Sequence, residues 1–287
     1  MKRRLTGAAL AAAAGASVLA ASGAAQAAPV PQGAPPAPAV RADVDFTGII
    51  ALDNCSGSLV RGPKSADTDN ALVLTNGHCL ESGMPGAGRV IVDQPSRRTF
   101  GLLNAMGQQV ATLRATQVEY ATMTDTDVTL YRLNTTYAEI QRRYTIPALR
   151  LSASRPQDGT EIRIASGYWK KIYSCKTDAT VYRLREDVWT WKDSIRYNTG
   201  CETIHGTSGS PVIDYHGHEV VAVNNTGNDD GGRCTLNNPC EVDPAGNVTV
   251  RRGASYAQQT YILARCLGKG NDVVLDASCE LPKPARR

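Results

Sequence analysis

Three short windows hold residue types that could together cleave an acyl bond. Gly206-Thr207-Ser208-Gly209-Ser210-Pro211-Val212 puts a serine in a glycine-flanked turn directly before an apolar run. Leu74-Thr75-Asn76-Gly77-His78-Cys79 puts a histidine directly after one. Between them, Asp125 and Asp127 both stand at the start of Val128-Thr129-Leu130-Tyr131. A serine hydroxyl is a poor nucleophile until a neighbouring base takes its proton, and a carboxylate can hold an imidazole in the tautomer that does so. Each window alone has a plainer reading: a strand-end histidine, a capping aspartate, a polar turn. Together, in the chain order His, Asp, Ser, they point to nucleophilic catalysis. The α/β-hydrolase elbow is disfavoured, because it needs glycine where Ser210 stands and the order Ser, Asp, His.

Residues so far apart in sequence can meet only on a framework of strands. Apolar, β-branched runs recur at 48–52, 71–75, 90–92, 128–131, 161–165, 179–182 and 220–223, with Gly, Asn, Asp and Pro between them. Many short strands separated by turn signals predict an all-β barrel or sandwich. Two segments read as helical: 137–144, ended by Pro147, and 257–267, followed by Gly268. No long-period repeat and no βαβ alternation is present.

The chain begins with Lys2, Arg3 and Arg4, an Ala-rich run and the small-residue pattern Ala25-Gln26-Ala27, which predicts a signal peptide over 1–27 and a secreted, extracellular protein. Residues 28–42 are Pro/Ala-rich and read as a linker or pro-segment, so the compact fold is expected from residue 43. No later stretch is apolar enough to span a bilayer, so no membrane association is expected once the signal is removed. Eight cysteines in an exported chain predict four disulfides. A Cys55–Cys79 bridge would close a loop worth roughly 3 kcal/mol beside His78. Cys175 and Cys201 flank a hairpin expected to turn near 185–187, Cys234–Cys240 would close a small loop, and Cys266–Cys279 would staple the last helix to the tail. The net charge of +4 is scattered and predicts no nucleic-acid partner. His216-Gly217-His218 reads as a hairpin turn. Asn228-Asp229-Asp230-Gly231-Gly232 lacks the Glu of an EF-hand loop, so neither a metal nor a cofactor is expected. Trp169, Trp189 and Trp191 could line a cleft or simply pack.

Cys55-Ser56-Gly57-Ser58-Leu59 and Thr75-Asn76-Gly77-His78-Cys79 resemble the CGGSL and TAAHC signatures of the trypsin/chymotrypsin superfamily. The serine window resembles its GDSGGPV, and more closely the GxSGSPV of bacterial V8-like enzymes. The resemblance implies two packed six-stranded antiparallel β-barrels with a short C-terminal helix. The first barrel would span 43–145, the second 146–256, and the helix and tail 257–287. It favours Asp127 over Asp125, because only Asp127 immediately precedes the strand. It implies His78 as base, Asp127 as its orienting carboxylate, Ser208 as nucleophile and the N–H groups of Gly206 and Ser208 as an oxyanion hole. It also places Glu202, six residues before the nucleophile, at the base of the P1 pocket, where it would favour Lys or Arg; the plainer alternative is that Glu202 points to solvent beside Cys201. Thr203 matches a threonine that glutamyl endopeptidases use, but Asn224 stands near where those enzymes need a histidine. The implied protein is a monomeric serine endopeptidase acting on protein or peptide substrates. The alternative is a silent member of the fold kept as a binding module. Thr207 replaces the usual aspartate and the Ile-Val-Gly-Gly start is missing, so activation by a new N-terminal ion pair is not expected.

Overall fold

The computed structural model describes residues 43–285; the segments read as a signal peptide and Pro-rich linker lie outside the described residues. Seven strands come first: β1 (Ile49–Ala51), β2 (Ser56–Arg61), β3 (Asn70–Thr75), β4 (Val90–Pro95), β5 (Thr99–Leu103), β6 (Gln109–Thr122) and β7 (Val128–Thr136). Six of them close a ring in the order β1-β5-β6-β7-β3-β2, every neighbour antiparallel, and β4 adds to β6 outside it. The apolar positions that alternate along these strands turn inward and bury Ile50, Val73, Phe100, Val118 and Tyr131 in one cluster.

The helix α1 (Tyr137–Tyr144) follows. Thr136 and Glu139 form a capping box at its start, and Thr145, in the left-handed region, ends it two residues before Pro147. The strand β8 (Leu149–Leu151) then runs parallel to β2 on one side.

The remaining strands are β9 (Glu161–Ser166), β10 (Lys171–Glu186), β11 (Trp189–Tyr197), β12 (Pro211–Asp214), β13 (Glu219–Gly227), β14 (Cys240–Val242), β15 (Val248–Val250) and β16 (Ser255–Gln259). A second antiparallel ring closes in the order β9-β10-β11-β16-β13-β12. The β14–β15 hairpin extends the edge of β10, and β8 pairs in parallel with β13 as well as with β2. Ile164, Tyr173, Ile195, Val212 and Ala257 fill the second interior. A further cluster joins the two rings: Val60, Leu74 and Leu130 of the first meet Ile213, Val220 and Val223 of the second, capped by Leu263 and Leu267. This nearly all-β, double-barrel arrangement is the chymotrypsin-like fold.

The last helix, α2, covers Tyr261–Cys266 and not 257–267. Ala257, Gln258 and Gln259 are strand, because β13 and β11 both offer them ladder partners. Tertiary pairing here overrides the helical pattern of the local sequence. All eight cysteines are paired, as Cys55–Cys79, Cys175–Cys201, Cys234–Cys240 and Cys266–Cys279. Among the described residues no helix is long and apolar enough to cross a membrane.

Candidate active site

His78 sits in a single 3-10 turn, Gly77–Cys79, directly after β3, where the Cys55–Cys79 bridge holds the backbone to the start of β2. Asp127 is fully buried immediately before β7. Its Oδ1 accepts from the His78 backbone N–H at 3.0 Å, and its Oδ2 lies 2.8 Å from His78 Nδ1. The carboxylate therefore fixes both the main chain and the ring of the histidine. Burial alone would lower the His78 pKa. The charge and hydrogen bond of Asp127, with a smaller push from Glu186, outweigh it and leave the imidazole raised above its ordinary value.

Asp125, the competing carboxylate, faces elsewhere: it is partly exposed and paired with Lys192.

Ser208 lies on the facing wall, in the turn that leads into β12. Its Oγ donates to the carbonyl of Asn225 at 3.1 Å, and no hydrogen bond joins it to His78. Both line one cleft of about 350 Å³. The backbone on either side of Ser208 needs glycine. Gly206 has φ +85, and a Cβ there would lie 2.9 Å from Trp169 Nε1 and from a Tyr168 ring carbon. Gly209 has φ +78, and a Cβ would come within 2.1 Å of the Ser56 carbonyl oxygen. Among the described residues the N–H groups of Gly206 and Ser208 find no protein acceptor, which leaves them available to an anionic oxygen at this turn.

Two positioning residues escaped the sequence reading. Asn76, fully buried, donates from Nδ2 to the Asp127 carbonyl at 2.9 Å and accepts from the Gly209 N–H at 2.5 Å. One amide thus ties the carboxylate's backbone in the first barrel to the serine turn in the second. Ser56 donates its N–H to the Ser208 carbonyl at 2.7 Å. Both residues stand inside the motifs already quoted, so their positions were visible, but the partners they join are remote in sequence.

The residues expected to contact substrate divide. Thr203 and Asn224 line the cleft. Asn224 is held from both sides, its Oδ1 accepting from Tyr197 Oη and its Nδ2 donating to Thr207 Oγ1, each at 3.0 Å. Glu202 does not line it: the side chain is exposed. Its neighbour Cys201 is the buried one, drawn inward by the bridge to Cys175 on β10, and the next side chain along the chain turns out to solvent. The expectation of a carboxylate at the pocket base through Glu202 is corrected accordingly. The cleft's buried carboxylate is instead Glu186, 4% exposed at the end of β10. Trp189 and Trp191 line the cleft, whereas Trp169 is half-exposed and donates to the His205 carbonyl.

His216-Gly217-His218 lies in the β12–β13 turn. Among the described residues the one group of potential metal donors close enough together is Cys55, His78 and Cys79, and its cysteines are joined as a disulfide.

A fully buried aspartate on a histidine, in one cleft with a serine on a glycine turn, is an arrangement that suits nucleophilic-serine chemistry. Residues 55–223 match the trypsin-like peptidase domain, and the chain belongs to that family. The match contains all three windows. No curated relative matches the chain. Among solved structures it is similar to the MamO protease domain from Magnetospirillum magneticum, at 13% identity over 78% of this chain and 97% of that one, TM-score 0.47. It is similar to an active-form protease from M. tuberculosis at 14% identity over 83% and 82%, TM-score 0.46. It is also similar to a Nocardiopsis protease at 15% identity over 77% and 96%, TM-score 0.44.

Proposed function

We propose that this chain is a secreted serine endopeptidase that hydrolyses peptide bonds of extracellular proteins through an acyl-enzyme. The observation that carries the reading is the buried Asp127 held 2.8 Å from His78 Nδ1, with Ser208 on the opposite wall of the same cleft. With Nδ1–H directed at Asp127, the His78 lone pair is left on Nε2, the atom a general base must present. In this reading Ser208 Oγ leaves the Asn225 carbonyl and meets that nitrogen when substrate binds. Hydrogen bonds of this kind are commonly loose without substrate and tighten in its complex.

In the first step Ser208 Oγ attacks the scissile carbonyl while its proton passes to His78. The negative oxygen is received by the Gly206 and Ser208 N–H groups, each such donor being worth about 10²–10³ in rate. His78 then protonates the leaving amine, and water completes the second half by the same route. Thr207, buried and bonded to Asn224, braces the serine turn from within, which supports a site formed without a new N-terminal ion pair. Residues 1–27 are proposed to direct export and 28–42 to link the signal to the barrels. We assign 43–145 and 146–259 to the two barrels, the second running past the expected end at 256 because β16 reaches Gln259, and the mature protein to a monomer.

The test is labelling by a fluorophosphonate probe, with hydrolysis of a fluorogenic peptide library measured alongside. Labelling that disappears in Ser208→Ala supports the reading. A folded wild-type protein that neither labels nor cleaves any library member would favour the second reading, a protease-fold binding module, to which the Ser208–Asn225 hydrogen bond also lends weight.

A further inference from the structure

Glu186 is an oddity for a protein interior. It is 4% exposed, ends the long strand β10 and faces the cleft, yet among the described residues no Lys or Arg pairs with it. Its two oxygens each accept one neutral donor: Thr226 Oγ1 at 2.7 Å and the Asn237 N–H at 2.8 Å. Each oxygen can accept two hydrogen bonds, so acceptor capacity is left over. Burial pushes its pKa above the ordinary carboxylate range, against the pull of those hydrogen bonds and of His78. A buried carboxylate without a cationic partner is costly, and the structure keeps this one where a ligand can reach it.

The surroundings suit a particular ligand. Trp189, Trp191, Met84 and Met123 line the same cleft as Glu186, and aromatic and thioether walls accommodate the methylene stem of a long side chain. Both indoles are committed elsewhere, Trp189 Nε1 to the Pro85 carbonyl and Trp191 Nε1 to the Met123 carbonyl, so the rings are fixed as walls. The exposed carboxylate at the rim, Asp229, is already paired with His205 at 2.8 Å. Apolar sides with an unpaired anion behind them fit a Lys or Arg side chain: the stem packs and the cation meets the carboxylate through charge-assisted hydrogen bonds. The turn from Thr203 to Ser208, with Asn224, forms the part of the cleft where family resemblance puts P1. Glu186 sits on a different element of the same cleft, the end of β10, where it accepts from Thr226 and its charge acts on His78.

We infer that Glu186 is the specificity residue of a second side-chain subsite, beside His78 and separate from the P1 pocket, that selects a lysine or arginine of the substrate. The inference deepens the peptidase reading and rests on it for the identity of the ligand as a peptide.

Two measurements test it. First, a positional cleavage profile of the wild-type protein is compared with that of Glu186→Gln. The expected result is a preference of about tenfold or more in kcat/KM for Lys or Arg at one position other than P1, reduced to near indifference in the variant. Peptides lacking basic residues, assayed at each protein's own pH optimum, report the shift at His78 separately from the loss of basic preference. A basic preference confined to P1, or one that survives Glu186→Gln, overturns the inference. Second, the Ser208→Ala protein is titrated with fluorescent peptides carrying either Lys or acetyl-lysine at each position in turn. Neutralising the ligand changes nothing in the protein, so this arm does not depend on how well a Glu186 variant folds. At least one position other than P1 should bind Lys about tenfold more tightly than acetyl-lysine. Equal affinities at every position other than P1 overturn the subsite. Because binding is read without turnover, loss of the peptidase reading through failed fluorophosphonate labelling is a separate result from loss of the subsite.

Discussion

Behind His78, Asp127 and Asn76 are fully buried, and their polar contacts interlock: carboxylate to histidine, amide to carboxylate backbone, the same amide to the serine turn. Before the serine turn, Glu202, Ile204 and His205 are exposed, and the His205 ring is paired at the surface with Asp229. The first region has one geometry available to it, because any displacement orphans a buried polar group. The second can rearrange at little cost, since exposed ion pairs contribute under about 1 kcal/mol. Proton transfer needs the first kind of placement, and admission of varied substrates tolerates the second.

The contrast can be broken most severely at the triad. Ser208→Ala and His78→Ala are each expected to lower kcat by roughly 10⁴–10⁶. An unchanged far-UV spectrum would show that the fold persists. Survival of near wild-type turnover in Ser208→Ala would remove the nucleophile assignment. Asn76→Ala comes next. It strands the Asp127 carbonyl, at a cost of about 1–3 kcal/mol, and cuts the tie to the Gly209 N–H, which keeps its bond to the Asn224 carbonyl, so the urea midpoint should fall together with kcat, by about ten- to a hundredfold, while KM changes little. A loss of stability with kcat intact would reduce Asn76 to a structural residue.

The third test is the pH profile. His78 must be neutral to accept a proton, and its pKa is raised, so activity should climb through a value above the roughly 6.5 of free imidazole. Glu186→Gln removes one of the charges that raise it and should move that limb to lower pH. The stability effect has the opposite sense. A raised histidine pKa stabilises the fold fully below about 6.5, and that contribution fades as pH rises through the raised value. Thermal midpoints and rates measured over the same pH range should therefore run in opposite directions across this window. The smallest effect is expected at the rim: Glu202→Gln should alter kcat/KM for basic and neutral P1 substrates by no more than about twofold.

What could be read from the chain alone followed the range of the forces involved. The strands around His78 and Asp127 and the turn at Ser208 announce themselves through neighbouring residues. The helix 137–144 does so too, through the proline that follows it, while its capping box came into view only in the structure. Glu186 gave no such signal. It looks like one more charged residue near a hairpin, and its burial is imposed by Thr226 and Asn237, 40 and 51 positions away. Counting back from the nucleophile put Glu202 in the pocket, but side-chain direction there is set by a bridge to another strand. Residues 257–259 have helical neighbours downstream and strand partners in space, and the partners prevail.

The strand β8 pairs in parallel with one strand of each ring, through Leu149 and Arg150 on β2 and through Arg150 and Leu151 on β13, with Ser152 adding a bond to Val220. These three residues act as a clasp between halves that carry different members of the site. Sliding one half past the other shears two ladders at once, so the amide protons of β8 and its partners should exchange with solvent only on global unfolding. Heat should then abolish catalysis and melt both halves in a single transition, leaving no temperature at which one barrel survives alone.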